Sequence, residues 1–394
     1  MSPRFRVAAA LAVFSLLGAA LAAPAPAQSD ILLQLRSGSP PGDRVRADSA
    51  GGFVAMGQIG IGIIPASGAG SRMMWHPQKV AFRAGYADVG GQFDEANIGY
   101  YSWAGGALSK AAGTYAFAMG NQNNAEAQCA VAIGSGNNVY GNAGDGIATC
   151  GVALGLNNSV RAQAGVAIGQ NAWSDGDAAV ALGFRTTADA DYSMAFGYRA
   201  STNGHTGAKV FGDASTTDSI EAVANNEFAV RAAGGFRFRT NPTLTTGCNL
   251  AAGGTAFFCS SSKTLKENFT EVDGETLLAQ IRSVPLNTWN LIDEEGKPLH
   301  MGPFAEDFHA AFGLGDTDHA IGHQDIDGVN FGGVKALEKR TAALREENGR
   351  LRADNVALRE EVNALRQAQT ELERRVARLE ALVQAASAAP AARP

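Results

Sequence analysis

The sequence predicts a mainly β protein: a parallel β-roll solenoid whose core is shared between copies, then a small α+β domain and a C-terminal parallel coiled coil. Three observations lead there. A four-residue unit of large apolar residue, alanine, large apolar residue and glycine recurs at fixed period through the first half of the chain. A stretch of ordinary composition with helical periodicity takes over after Cys248. Leucine then returns at every seventh position from Leu337 to Leu379.

At the N-terminus, Arg4 and Arg6 precede an apolar run from Val7 to Ala23, and Ala25-Pro-Ala27 follows it. This is the pattern of a secretory signal peptide cleaved after Ala27, and the run is shorter than the roughly 20 apolar residues that span a bilayer. The mature chain is therefore expected to be exported, secreted or on the cell surface, with no membrane span after signal removal. The chain of 394 residues holds 48 glycines, with only 8% aromatic and 18% charged residues, which favours a repeat over an ordinary enzyme core. A net charge of −6 gives no broad basic surface, so no nucleic-acid partner is expected. No Cys-x-x-Cys pair or cluster of histidines occurs, and neither metal nor cofactor is expected.

Residues 28–95 are expected to be β-rich, with Gly57 to Ile64 read as short strands and turns. The repeat then runs as Phe117-Ala-Met-Gly120, Val131-Ala-Ile-Gly134, Val152-Ala-Leu-Gly155, Val166-Ala-Ile-Gly169, Val180-Ala-Leu-Gly183 and Met194-Ala-Phe-Gly197. The glycines are 14, 21, 14, 14 and 14 residues apart, a period of 14 with one seven-residue half-step. Apolar residue and alanine alternate with the two-residue period of a strand, glycine turns the chain, and the asparagines at 123–124, 137–138 and 157–158 fit left-handed turn positions. So thin a coil cannot bury its apolar edge alone, and several chains must share the core. The pattern resembles the head repeats of trimeric autotransporter adhesins. That resemblance covers residues 96–215 and implies a left-handed parallel β-roll of three chains.

Cys129 and Cys150 each stand two residues before the valine of their unit, so they occupy equivalent positions on successive coils. Strands about 4.8 Å apart bring such positions within disulfide reach, the alternative being two free thiols. Of the three connectivities open to four cysteines, the local one is expected, Cys129 with Cys150 and Cys248 with Cys259. The segment Asn226 to Thr240 reads as strands around a Gly-Gly turn that close the roll, within a closing β segment over 216–259.

Beyond it, Leu277, Leu278, Ile281 and Val284 have helical spacing ended by Pro285, Trp289 to Leu299 reads as a short hairpin, and Gly302 to Gly313 as a short helix. Ser261-Ser-Lys-Thr-Leu-Lys266-Glu-Asn-Phe, Leu286-Asn-Thr-Trp-Asn, Met301-Gly-Pro-Phe-Ala-Glu-Asp-Phe and Asp325-Ile-Asp-Gly328 resemble the C-terminal intramolecular chaperone of phage endosialidase tailspikes. Members trimerise, register the β-structured chains before them, and often cut themselves off with a serine and a lysine five residues later. Carried over, the serine is Ser261, the lysine Lys266 and the scissile bond Ser260–Ser261, making the chain at most a single-turnover self-cleaving serine endopeptidase. Lysine serves as base only when desolvation lowers its pKa toward neutrality, and a spacing of five requires the pair to meet across a turn or between chains. Many members have aspartate where this chain has Ser262. Cys259 would be a rival nucleophile if free, but it is expected to pair with Cys248 or lie buried, and His300, His309, His319 and His323 are assigned no role.

From Val334 the heptad places Leu337, Leu344, Leu351, Leu358, Leu365, Leu372 and Leu379 at one core position and Val334, Thr341, Asn348, Asn355, Val362, Gln369 and Val376 at the other. Valine or asparagine with leucine favours two strands in isolated coils, whereas the roll and the resemblance imply three. The expected order is signal peptide 1–27, β-rich segment 28–95, roll 96–215, closing segment 216–259, chaperone and autocleavage domain 260–333, coiled coil 334–383 and disordered tail 384–394. The function read from this is an exported homotrimeric fibre- or adhesin-like protein, its host-surface or glycan ligand unknown. The alternatives are a non-cleaving tail-fibre-like protein of phage origin and a glycan-active hydrolase or lyase on a β-roll.

Overall fold

The computed structural model describes residues 31–37, 42–141 and 150–387. The expected signal peptide lies outside them, as does all of the expected tail beyond Ser387. The chain divides into two compact units, the first ending at Ser260 and the second beginning at Ser261.

The first unit is built around an eleven-stranded and an eight-stranded sheet. Long strands such as Val131–Ser135, Val152–Leu156, Val166–Gln170 and Val180–Phe184 pair in parallel with alanine on alanine and glycine on glycine. Short strands such as Asn138–Val139, Ser159–Val160 and Trp173–Ser174 stack into the second sheet, one per coil. The alanines of the repeat, from Ala104 to Ala195, point into the coil and are fully buried, and Val139, Val160 and Val210 join them. The large residues on either side point away: Ile133, Ile168 and Phe196 are 38%, 36% and 46% exposed. One chain thus closes a narrow alanine core and leaves its bulky apolar face unpacked.

Each repeat glycine takes a backbone conformation closed to other residues, as at Gly155 with φ +119° and Gly169 with φ +127°. A Cβ at Gly155 would also collide with the carbonyl oxygen of Gly169 on the next coil. Sequence reasoning placed all the paired asparagines at left-handed turns, but only Asn157 has positive φ among them. Asn123, Asn137 and Asn158 are instead buried in a ladder inside the corner. Asn137 Nδ2 donates to the carbonyls of Ile133 (2.9 Å) and Gly155 (2.8 Å), and its backbone N–H donates to Asn123 Oδ1 (3.1 Å). Asn158 repeats the arrangement with Leu154, Gly169 and Asn137. The side-chain amides thus tie the end of each long strand to the glycine of the next coil.

The 21-residue step is not a half-coil. Val131 pairs directly with Val152 and Asn138 with Ser159, so the stacking continues unbroken across the step. Cys129 and Cys150 are joined across that step, their Cα atoms 4.8 Å apart, and Cys248 is joined to Cys259. Both expected pairs are present.

The eleven-stranded sheet begins with an antiparallel hairpin, Gly70–His76 and Ala81–Ala87, whose second strand pairs in parallel with Trp103–Ala107. Arg83 there occupies the inward position that alanine holds on later coils, opposite Ala104, and plugs the end of the core. Its guanidinium donates to Ser102 O (3.1 Å), Ser102 Oγ (2.8 Å) and Ala111 O (2.8 Å), and burial lowers its pKa to about 10, leaving it charged at neutral pH. Before the hairpin, Ile31–Ser37, Gly42–Asp48 and Phe53–Ala55 form a separate antiparallel sheet, and residues 57–64 carry no strand, contrary to expectation. The two strands around Gly234-Gly235 also differ from expectation, because they do not pair with each other. Phe228–Arg231 is the last rung of the roll, while Phe236–Arg239 opens an antiparallel sheet with Gly247–Leu250 and Phe257–Cys259.

The second unit packs three helices. Helix α1 (Gly274–Ser283) is capped by Asp273, whose carboxylate accepts from Thr276 N–H at 2.8 Å; the Thr276 side chain and then this backbone bond hold the Asp273 carboxyl below its ordinary range. Helix α2 (Ala305–Phe312) ends at Gly313 in the left-handed conformation. Helix α3 (His323–Ser387) starts before the heptad and runs past its expected end. Leu277, Phe308 and Val329 form the core, and Gly332 and Gly333 let α1 approach α3, since a Cβ on either would strike Leu277 or Ile281. The expected hairpin is made instead by Asn287–Trp289 and His300–Gly302, with residues 290–299 as its loop.

Two outcomes follow from the ladder and the clip. Asn137→Ala should lower stability by about 2–4 kcal/mol, because it removes two side-chain bonds to strand carbonyls and takes the acceptor from the buried N–H of Asn158, whereas Asn138→Ala next to it should shift it by under about 1 kcal/mol. Denaturation midpoints at one protein concentration decide this. Replacing Cys129 and Cys150 together by serine should cost roughly 3 kcal/mol, the value for a cross-link closing a loop of this size, and peptide mapping without reduction checks the pairing itself.

Candidate functional site

Ser261 and Lys266 are brought together by one tight turn. Ser262 is extended (φ −65°, ψ 141°) and its hydroxyl accepts from Thr264 N–H at 3.3 Å, capping the short 3-10 helix Lys263–Leu265. Lys266 ends that helix by donating its N–H to Lys263 O and turns back to the extended region. Its ammonium then reaches Ser261 Oγ at 2.8 Å. A spacing of five residues is spanned by the turn within one chain, with no need for a shared helical face. Ser262 takes the capping place at which aspartate, another good N-cap, would perform the same task.

The bond runs from lysine to serine, so in this arrangement the hydroxyl accepts and the amine donates. Both residues are exposed, as is every residue from Ser261 to Thr270. The geometry of a base beside a nucleophile is present, but this chain alone does not supply the desolvation that a neutral amine requires.

Ser260, on the acyl side of the expected scissile bond, is tied into the last sheet of the first unit. Its N–H donates to Gly247 O at 2.9 Å and its hydroxyl to Gly247 O and Thr245 O at 3.0 and 3.1 Å. The neighbouring Cys259 is bonded to Cys248, which removes it as a rival thiol nucleophile. The histidines are engaged elsewhere: His300 bonds Glu294 at 2.8 Å and stacks on Trp289, and His309 Nδ1 lies 2.8 Å from Leu314 O at the end of α2. Among the described residues no group of side chains could hold a metal ion, and no helix is long and apolar enough to cross a membrane.

Helix α3 presents the heptad leucines to solvent, with Leu344 and Leu351 each 51% exposed. Asn348 and Asn355 turn their amides onto the carbonyls of Leu344 and Leu351 in the preceding turn, at 2.9 Å. In the same unit Leu286, Ile292, Met301 and Phe304 are also exposed. Sequence reasoning did not reveal that the second unit has so small a core of its own.

Comparison with known proteins agrees with both parts of this description. Residues 261–314 match the family model described as chaperone of endosialidase. Residues 111–137, 162–186 and 174–200 match the YadA head domain repeat, two copies. No curated protein and no solved structure matches the chain. The chain therefore joins repeats of the YadA head kind to a following segment of the endosialidase chaperone kind.

Proposed function

We propose that the protein is an exported homotrimer, fibre- or adhesin-like, whose second unit registers three chains through a parallel coiled coil and then releases itself by cutting at Ser260–Ser261. One observation carries the assembly: each long strand from Phe117–Asn121 to Met194–Tyr198 buries alanine and leaves valine, isoleucine, leucine, methionine or phenylalanine outside. A continuous apolar face of this kind, with a seven-residue leucine row on α3, needs covering by other chains of the same repeat. The left-handed sense and the number three come from the head repeats that the first unit resembles.

Release would proceed by attack of Ser261 Oγ on the carbonyl carbon of Ser260. Lys266, neutral once desolvated, takes the hydroxyl proton and passes it to the departing Ser261 nitrogen; the C–N bond breaks as a C–O ester bond forms. Water then hydrolyses the ester, leaving a carboxylate on Ser260 and a free amine and hydroxyl on Ser261. Burial of Lys266 among three chains would supply the neutral amine, so the cut would wait for assembly.

Light scattering of the full-length chain should give a trimer, and Ile168→Asp should prevent it, because a charge in the shared apolar face costs several kcal/mol. A monomeric, folded wild type would overturn the reading. Ser261→Ala and Lys266→Ala should each stay trimeric yet slow cleavage by about 100-fold or more. Intact-mass measurement reads the products, 28–260 and 261–394. Truncation after Ala343 should suppress cleavage through loss of the trimer, and cleavage persisting at that bond in Ser261→Ala would remove the assigned nucleophile.

A further inference from the structure

The two edges of the roll carry opposite, uncommitted charge over the same coils. Each coil has one connection from long to short strand and one from short to long, and these lie at opposite edges. At the first edge, Arg185 follows Val180–Phe184 and Arg199 follows Met194–Tyr198. Their guanidinium groups lie over the rings of Phe184 and Tyr198, at 5.3 and 5.8 Å, and these two rings stack on each other at 5.2 Å. Neither arginine has a carboxylate partner among the described residues, and Arg199 Nε is buried without any. Asp213, on the next coil, is occupied by Arg231 at 2.9 Å.

The second edge carries Asp177 and Asp191, one above the other and both exposed. Oδ1 of each accepts a backbone N–H, from Gln163 (3.0 Å) and Asp177 (2.9 Å), and neither carboxylate has a cationic partner. Their neighbours are taken: Asp175 pairs with Arg161 at 3.1 Å, and Asp189 bonds Thr202 and Gly204 at 2.8 Å. Along the chain the order is Asp177, Arg185, Asp191, Arg199, each half a coil beyond the last. With coils about 4.8 Å apart, successive charges therefore differ in height by roughly 2.4 Å.

Within one chain the two pairs cannot meet, and each repels its like across one coil step. A copy related by rotation about an axis parallel to the roll keeps every height and presents its opposite edge. We propose that Arg185 and Arg199 of one copy pair with Asp177 and Asp191 of the next, so that the arginine edge of each chain docks on the aspartate edge of its neighbour. This rests on the cyclic assembly proposed above and adds which edge meets which. Pairing at the rim fixes rotational order and axial register, since a slip of one coil leaves a charge unpaired at each end.

The test uses the full-length chain with Ser261→Ala, so that cleavage does not intervene. Arg185→Glu with Arg199→Glu should weaken self-association at least about tenfold, and Asp177→Arg with Asp191→Arg should do the same. All four substitutions together should restore it, because every edge then again meets its opposite. Arg185→Gln with Arg199→Gln should remove the loss of affinity that added salt produces in the unaltered edges. Association by light scattering and far-UV circular dichroism are read together. A trimer indifferent to salt and to either reversal overturns the edge pairing while leaving the trimer standing, as does a folded fourfold variant that stays weakened. A monomer before any edge substitution overturns the assembly itself, and the pairing with it.

Discussion

The roll depends on how closely one coil can lie on the next at its glycines. The carbonyl of each repeat glycine occupies the space that a Cβ on the glycine of the preceding coil would need, and the backbone there has φ near +120°. Only glycine satisfies both conditions, so the position repeats at every rung and sets the stacking register. After Gly120, Gly134 and Gly155, asparagine three residues later completes the corner by donating to the carbonyl before that glycine and to the next glycine above it. A shift of one residue between coils would break the glycine contact and the amide ladder together, which makes the in-register pairing the sole arrangement compatible with either.

Close coils have a consequence for the core. With room inside for little more than alanine, burial within one chain yields only a small apolar contribution per rung, well below that of a buried leucine or phenylalanine. The larger side chains are therefore outside, where they add stability only once another surface covers them. The second unit has the same economy: a small cluster around Leu277, Phe308 and Val329 forms its core, and a 65-residue helix carries its leucines in the open. Both units thus have more apolar surface than their own packing uses, and the proposed trimer is the arrangement that uses it in both.

What could be read from the sequence follows from how local each cause is. The strand repeat, both disulfides, α1 and the glycine stop of α2 rest on spacing or on neighbouring residues, and each appears as expected. The Ser261–Lys266 contact was legible as a resemblance, but the turn that makes it depends on the cap at Ser262, which drew notice only as a departure. Other features depended on distant partners. Arg83 stands where its strand pairs with Ala104, and nothing in its neighbours marks it as the plug of a core. The asparagine pairs look alike in sequence, yet whether an asparagine takes the turn or the ladder is decided by carbonyls one coil away. At Gly234-Gly235 the alternation on both sides was real, but which sheet each strand joins is fixed by other segments.

The geometry at Ser261 bears on how the proposed cut would wait for assembly. The contact between Lys266 and Ser261 is made, but both side chains lie open to water. Desolvation is the missing ingredient, and covering the exposed apolar residues of the second unit is what assembly would do. The same covering that brings Leu286, Met301 and Phe304 out of water can therefore take Lys266 with it, so that the energy of assembly is coupled to the chemical state of the dyad. Ser260, meanwhile, is held by hydrogen bonds and beside a disulfide that belong wholly to the first unit, so its position does not rely on the second. A head anchored in this way would keep its last strand after the cut, which is the requirement for a chaperone that can be discarded without loosening what it has assembled.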